Sequence, residues 1–265
     1  MNIVVCVKQV PDSWAEKRLR PDDRTLDRES VEAVMNELDE YAVEEALRIQ
    51  EANGGPDACQ VTILAVGPEK AAETVRKALS MGADQGVHVS DELLHGSDAL
   101  VTSLVLAKAL GTLAWDLVLL GTESTDARMS VVPAMLAERL GLPQLTLAGK
   151  VDLDAGARTV RVQRQTDYGY DVVEGALPAV VSVVEKINEP RYPSFKGIMA
   201  AKKKPVTTLA VADLGLAADE VGLAGSSSAV DDFATRPPKQ AGTVVKDDGD
   251  GGVKLVEYLV SQKFV

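Results

Sequence analysis

Histidine, cysteine and aromatic residues are scarce in this chain of 265 residues, and each scarcity removes a class of chemistry. The two histidines, His88 and His95, are too few and too far apart for an obvious metal site or nucleophilic triad. Two cysteines, Cys6 and Cys59, make neither a disulfide scaffold nor a metal site, so a reducing compartment is expected. No apolar run reaches the roughly 18 residues that cross a bilayer, so no direct membrane insertion is expected. An apolar strand begins at residue 2 and leaves no room for a signal or transit peptide, which makes the cytoplasm the expected location. A mature mitochondrial protein would read the same way only after loss of its presequence. Basic residues are outnumbered 28 to 40, and the net charge of −12 argues against nucleic acid as a partner. The phosphate-loop pattern G-x-x-x-x-G-K-[ST] and the nucleophile elbow G-x-S-x-G are both missing. The glycine cluster Gly249–Gly252 follows an acidic linker and not a strand. As an enzyme, the chain is poorly equipped.

Apolar residues make up 46% of the chain, enough for a substantial core in one large domain, or one domain with an appendage. Ile3–Val7, Val61–Val66 and Trp115–Leu120 are short apolar runs, the mark of parallel strands covered on both faces. Helical patterns lie between them. Over 38–50, Leu38, Ala42, Ala46 and Ile49 recur at spacings of three and four, with Glu44, Glu45 and Arg48 on other faces. Ala72, Val75 and Leu79 repeat the period after Pro68, and 99–110 and 131–140 behave alike. This alternation predicts an α/β fold, an open, mostly parallel sheet with helices on both faces. After Pro143, Thr159–Arg164 alternates polar and apolar. A turn at Tyr168-Gly169-Tyr170, the segment Asp171–Glu174 and the buried run Ala179–Val184 follow, which reads as an antiparallel addition. A nucleotide-binding α/β domain is expected over 1–217. Beyond 218, Gly225–Ser228, Arg236–Lys239 and Asp247–Gly252 cannot build a core. Helical spacing returns at Val256, Leu259 and Val260, either in an arm that docks elsewhere or in a tail that folds back.

Open parallel sheets bind ligands at the carboxyl ends of their strands, beside helix N-termini. Three places qualify. Gly67-Pro68 after Val66 permits close backbone approach, or simply starts a helix. Asn36, three residues before Asp39, suits a helix cap or a ligand contact. The loop Gly121–Ser130, leading into Val131, Val132 and Pro133, offers free backbone N–H groups to an anion, or is a solvated turn. Together these places suit a mononucleotide. Elsewhere, Pro190 and Pro193 stop the strand before them and stiffen the segment Ile187–Met199. Its Tyr192 and Phe195, scarce residues here, are either tucked into a core or held out for a partner.

The run Asn188-Glu189-Pro190-Arg191-Tyr192, followed by Ile198-Met199 and Lys202-Lys203-Lys204, closely resembles the β subunit of the electron transfer flavoproteins. So do the opening Asn2–Asp12, Met35-Asn36 with Ala42–Ala46, and Arg76–Asp84, and the resemblance runs over residues 1–215 without large gaps. It implies an adenine nucleotide α-hydrolase-like fold and a C-terminal arm, 218–265, docked on a partner α subunit. It also implies AMP as a structural ligand, bound by Cys6, Asn36, Glu37, Leu38, Asp39 and Val66. The same ligand would touch Gly121, Thr122, Glu123, Ser124, Thr125, Asp126, Ala127, Arg128, Met129, Ser130, Val131 and Val132. Several relatives carry Asn-Gln-Thr-Gly where this chain has Ser130-Val131-Val132-Pro133, so backbone N–H groups and the Ser130 hydroxyl would hold the phosphate. Tyr168 and Asp171 stand where Gly or Glu is more usual. FAD would be held mainly by the α subunit, near Ser13 and Trp14. Glu189, Pro190, Arg191, Tyr192, Phe195, Ile198 and Met199 would recognise flavin dehydrogenases, such as the acyl-CoA dehydrogenases of fatty acid oxidation, with Phe195 at the tip. Lys202–Lys204 sit close enough to steer an acidic surface. Electrons would leave to a membrane quinone oxidoreductase, and the chain itself would perform no bond chemistry. A second FAD in the same pocket, as in a bifurcating complex, is the alternative. A stand-alone nucleotide-hydrolysing or adenylating enzyme would need an S-G-G-x-D-S-type or H-x-G-H-type motif, and neither occurs.

Overall fold

The computed structural model describes residues 1–235, 237–238, 242 and 244–265, so Arg236 and Lys239 of the expected linker lie outside the described residues. The chain opens with β1 (Asn2–Val7), β2 (Gln9–Pro11), β3 (Ala33–Met35) and α1 (Glu37–Ala52). There follow β4 (Gln60–Val66), α2 (Ala72–Met81), β5 (Gln85–Val89), α3 (Ala99–Leu110), β6 (Leu117–Gly121) and α4 (Val132–Leu140). Then come β7 (Gln144–Asp154), β8 (Thr159–Thr166), β9 (Gly169–Ala176) and β10 (Ala179–Val183). The last elements are α5 (Phe195–Ala201), β11 (Val206–Leu209), α6 (Gly222–Gly225) and α7 (Gly251–Ser261).

Among the described residues the strands form a nine-stranded sheet in the order β11-β5-β4-β1-β6-β10-β7-β8-β9, and β2 pairs with β3 apart from it. Every pairing from β11 to β7 is parallel, whereas β8 and β9 add antiparallel. The apolar runs sit centrally because both of their faces are covered. Ile3, Val5, Ile63 and Leu119 pack under α1 and α2 on one face. Val4, Leu64, Val118 and Leu120 meet α3 and α4 on the other. Truncating one such fully buried leucine to alanine typically costs about 2–5 kcal/mol, so these two layers dominate the stability. The chain steps outward from β1 to β4 and β5, then returns to β6 on the other side of β1. In open sheets of this kind such a reversal marks the crevice where ligands bind, here the carboxyl ends of β1 and β6.

Several boundaries differ from the sequence reading for physical reasons. The sixth strand starts at Leu117, not at Trp115, because Asp116 turns its carboxylate to the Asn2 N–H (2.9 Å) and Arg158 (2.9 Å). Trp115 instead donates its indole N–H to the Leu110 carbonyl at the end of α3. Gly169 and Tyr170 belong to β9, and the turn falls one step earlier at Asp167-Tyr168. Glu44 and Glu45 are buried on α1 and not on a solvated face. The compact unit runs past residue 217 to Asp231. The extension is fastened by Leu223 N–H to the His95 carbonyl (3.0 Å) and by the Asp98 carboxylate, which accepts from Ser227 N–H (2.9 Å) while also capping α3.

The second unit, Asp232–Val265, contains α7, whose first turn is fixed by Asp247 accepting from the N–H groups of Gly249 and Gly251. Val253, Leu255, Val256, Tyr258 and Val260 are all more than half exposed, so within this unit the helix buries no apolar face among the described residues. Both core layers draw their buried residues from positions up to Val221. Truncation after Asp231 is therefore expected to leave the melting temperature of the isolated chain within about 2 °C of the full-length value. Thermal unfolding followed by circular dichroism checks this, and a fall of about 4 °C or more, roughly 1 kcal/mol, would show that the arm belongs to the core.

Candidate functional site

The crevice is built around a buried carboxylate. Asp39, in the first turn of α1, accepts the Lys8 N–H just past β1 (2.8 Å) and the Gly121 N–H at the end of β6 (3.2 Å). A Cβ on Gly121 would lie 2.5 Å from Asp39 Oδ1 and 2.8 Å from the Leu38 carbonyl carbon, so only glycine lets the helix approach. Asn36 stands at the cap position, yet its side chain makes no cap bond. It instead reaches across the crevice, donating to the Glu123 carbonyl (2.9 Å) and accepting from the Thr125 N–H (3.1 Å). Burial pushes the Asp39 carboxyl up to about 7, against the pull of the Asn36 amide and the two backbone donors. Burial, helped by the Asp39 charge, also holds the Cys6 thiol far above its ordinary range, so Cys6 lines the site as a small apolar residue.

The loop after β6 carries the second carboxylate. Asp126, whose side chain is fully covered, receives Lys8 Nζ at 2.9 Å and Arg28 at 2.6 Å. Burial alone would raise its pKa, but the two positive charges win and hold it well below the usual carboxylate range. Burial lowers Lys8, with Asp126 opposing. Lys8 also donates to Ser124 Oγ (3.1 Å), and Lys17 Nζ donates to the Thr125 carbonyl (2.9 Å). Sequence reasoning passed over Lys8, Lys17 and Arg28. Lys8 could have been found as the residue directly after a buried strand, whereas Lys17 and Arg28 lie in the excursion between β2 and β3, which has no periodic pattern.

The loop turns at Arg128 and Ser130, both in the left-handed region (φ 49° and 53°), before α4 begins. Ser130 Oγ donates to Glu123 Oε2 (2.5 Å), and Arg128 pairs with Glu123 Oε1 (3.3 Å). The Ser130 hydroxyl is thus engaged by a neighbouring carboxylate and is not the open donor expected from the sequence. Thr122 donates to the Val183 carbonyl (2.7 Å), while Ala127, Arg128 and Met129 form an exposed rim. Val131, Val132 and Leu38 are half-buried, as is Val66 at the end of β4, on the same edge of the sheet. Glu37 is exposed and accepts from Ser13 Oγ (3.1 Å), and Trp14 beside it is 95% exposed. The backbone donors and cations around the crevice are matched from within by Asp39, Asn36, Asp126 and Glu123. Among the described residues no group of three His, Cys, Asp or Glu side chains could hold a metal ion.

The proline-stiffened segment lies on the other flank of α1. Arg191 forks onto Glu44 (2.7 and 3.0 Å) and reaches Glu51 (2.6 Å), and these partners, Glu44 first, hold its guanidinium above its ordinary range. Asn188 donates to the Tyr41 carbonyl (3.1 Å) and to Glu45 (3.0 Å). Glu189 is exposed and Pro190 half-buried. Ser194 caps α5 by accepting from the Gly197 N–H (3.0 Å), so Phe195 opens a helix and does not sit on irregular chain. Tyr192 is 96% exposed and Phe195 81%, with Ile198 and Met199 about half exposed beside them. The aromatics are held out, not tucked in. Lys202 and Lys203 face solvent, but Lys204 turns inward and donates to the carbonyls of Leu79, Gly82 and Ala83 at the end of α2. It closes that helix, so its ammonium is turned away from the surface that Lys202 and Lys203 present.

Residues 23–214, which include the stiffened segment and the crevice apart from β1, Lys8 and Lys17, match the family model described as the electron transfer flavoprotein domain. The chain belongs to the electron transfer flavoprotein family. It is 54% identical to the electron transfer flavoprotein subunit beta of Mycobacterium tuberculosis, over 100% of this chain and 99% of that one. The subunit beta of Megasphaera elsdenii is 35% identical over the full length of both. The caffeyl-CoA reductase-Etf complex subunit CarD of Acetobacterium woodii is 35% identical over 92% of each chain. The resemblance to β subunits is thereby established, and with it the role of an electron carrier and not of an enzyme.

In this electron transfer flavoprotein chain the Asp39 bridge has a pH signature. Its folded pKa near 7 lies above the ordinary 3.8, so between those values the folded protein keeps a proton that the unfolded chain has released. The Asp39 contribution to stability is therefore complete below about pH 4 and declines as the pH rises to about 7. Asp39→Asn removes that titration while keeping an acceptor. Its unfolding free energy relative to the parent is expected to improve with pH across this window, by on the order of 2–4 kcal/mol, in urea titrations at pH 4.5 and 7.5. A stability difference that does not change with pH would mean that Asp39 stays ionised in the fold.

Proposed function

We propose that this chain is the β subunit of a heterodimeric electron transfer flavoprotein, with AMP as its structural ligand. The observation that carries the reading is the crevice between β1 and β6, bridged by Asn36 and Asp39 and closed by a loop leading to the start of α4. Cys6, Val66 and Leu38 suit an adenine ring, and the loop Gly121–Val132 suits the phosphate end. FAD belongs mainly to the α subunit, with the exposed Ser13-Trp14 turn near its ring. The unpartnered apolar residues of α7 are the part of the arm that docks on that subunit. Flavin dehydrogenases, acyl-CoA dehydrogenases among them, deliver electrons in the cytoplasm, and a membrane quinone oxidoreductase takes them away. The chain contributes shape and contact, not bond making.

The similarity to a subunit of a caffeyl-CoA reductase-Etf complex favours a second reading, in which the pocket takes the AMP half of a second FAD. Acid extraction and chromatography of the co-expressed heterodimer separate the two. One FAD and one AMP per heterodimer are expected, whereas two FAD would support the second reading, and one FAD with no AMP would remove the pocket assignment altogether.

Phe195 tests the docking side of the proposal. Its ring is exposed on a helix whose cap is fixed, and the Arg191 fork fixes the segment before it, so a partner could bury the ring at small entropic cost. Phe195→Ala should raise the apparent KM for the dehydrogenase at least about tenfold, some 1.4 kcal/mol, with flavin content, AMP content and melting temperature nearly unchanged. Unaltered dehydrogenase kinetics in a folded variant would take Phe195 out of the recognition surface.

A further inference from the structure

The loop that receives the proposed phosphate already contains an anion of its own. The backbone of Glu123 is pinned, because its carbonyl accepts the Asn36 side-chain amide, itself buried. Its carboxylate reaches across to the far end of the loop, where it takes the Ser130 hydroxyl at 2.5 Å and the Arg128 guanidinium at 3.3 Å. Two residues beyond Ser130 the chain enters α4, whose N-terminus has no side-chain cap bond. The carboxylate therefore occupies the hydroxyl and the cation that would otherwise meet a phosphate. Its hold on Arg128 is a loose one, since that side chain is 71% exposed and such pairs are weak, so the Ser130 hydroxyl is the firmer of its two contacts. A fixed backbone with a displaceable carboxylate is the arrangement of an internal competitor.

We propose that Glu123 is the specificity-determining residue of the nucleotide pocket, an internal anion that a phosphate has to displace. This deepens the AMP reading and rests on it. An uncharged adenosine would leave the Glu123 contacts in place. A nucleotide phosphate must break them and then sit within a few ångströms of the released carboxylate, and each added phosphate meets a further increment of repulsion. The residue thereby sets an upper limit on ligand charge, favouring a monophosphate over di- and triphosphates. Arg128 acts in the opposite sense, since once Glu123 has swung away it is free to pair with the phosphate.

The test is calorimetric titration of AMP, ADP and adenosine into the co-expressed heterodimer after its nucleotide has been removed. Glu123→Gln keeps an oxygen for Ser130 but removes the charge. It should tighten AMP binding by about tenfold and ADP by more, while adenosine changes less than about twofold. Arg128→Gln, a rim substitution, should weaken AMP several-fold with adenosine again unchanged. Opposite signs in the two variants are a pattern that general loop damage does not produce. Equal shifts for AMP and adenosine, or weaker AMP binding to Glu123→Gln, would overturn the proposal and make Glu123 a structural or directly ligating residue. Normal adenosine binding with no change in AMP affinity would also overturn it, leaving the pocket assignment standing. Failure of all three compounds to bind the parent protein would remove the nucleotide reading and this proposal with it.

Discussion

Asp39 fixes the geometry on which the rest of the site depends. Parallel strands end with backbone N–H groups that have no further ladder partner, and at a switch point two such ends face one another across a gap. Asp39 satisfies one from each side, Lys8 and Gly121, with the two oxygens of a single side chain. The bridge forces the first turn of α1 down into the gap, which is why residue 121 has no room for a Cβ. Asn36, one turn earlier, then meets the next stretch of the β6 loop through both ends of its amide. The walls of the crevice are therefore held by side chains from a third element, and the loop that follows starts from a rigid point.

The two buried aspartates of this region show how surroundings decide charge. Asp39 is covered and meets dipoles, so burial prevails and its pKa rises toward neutrality. Asp126 is also covered, yet Lys8 and Arg28 touch it directly, and it stays ionised far below the usual range. Arg28 comes from the excursion between β2 and β3, so its ion pair with the covered Asp126 ties that excursion to the loop after β6. The turn with Ser13 and Trp14 belongs to that excursion and is held by Glu37, which accepts the Ser13 hydroxyl, and by Asp12, which accepts the Trp14 N–H. Lys17, bound to the Thr125 carbonyl, adds a second tether.

How much of this was legible depends on the distance over which each residue finds its partner. The central strands were, because a strand buried on both faces is apolar throughout, as Val61–Val66 is. β5 was not, since Gly86 and His88 interrupt its run, and Gly86 is there because a Cβ would strike Val75 of α2. β7 was hidden by Gly149 and the register shift around it, and β11 is a short edge strand half made of threonine. The positions of the crevice residues could be read from strand ends, but their bonding could not. Asn36 reads locally as a cap, and only the loop some 87 residues away gives its side chain another use. Glu44 and Glu45 read only as lying off the apolar face for the same reason, their partners being 147 and 143 residues distant.

Both regions of interest hang on one helix of 16 residues. The first turn of α1 holds the crevice through Asp39, while Glu44, Glu45 and Glu51 hold the stiffened segment through Asn188 and Arg191. Glu44 and Glu51 are seven residues apart, two turns on the same face, which lets one guanidinium satisfy both. This explains the uneven composition of the segment. The residues that look like recognition elements in sequence divide by direction: Asn188 and Arg191 point inward and make the segment rigid, whereas Tyr192, Phe195, Ile198 and Met199 point outward and remain bare. A bare aromatic surface on a mobile loop would lose much of its binding free energy to ordering. Tied by a buried acid pair to the helix that also frames the crevice, it is presented at a fixed distance from the pocket.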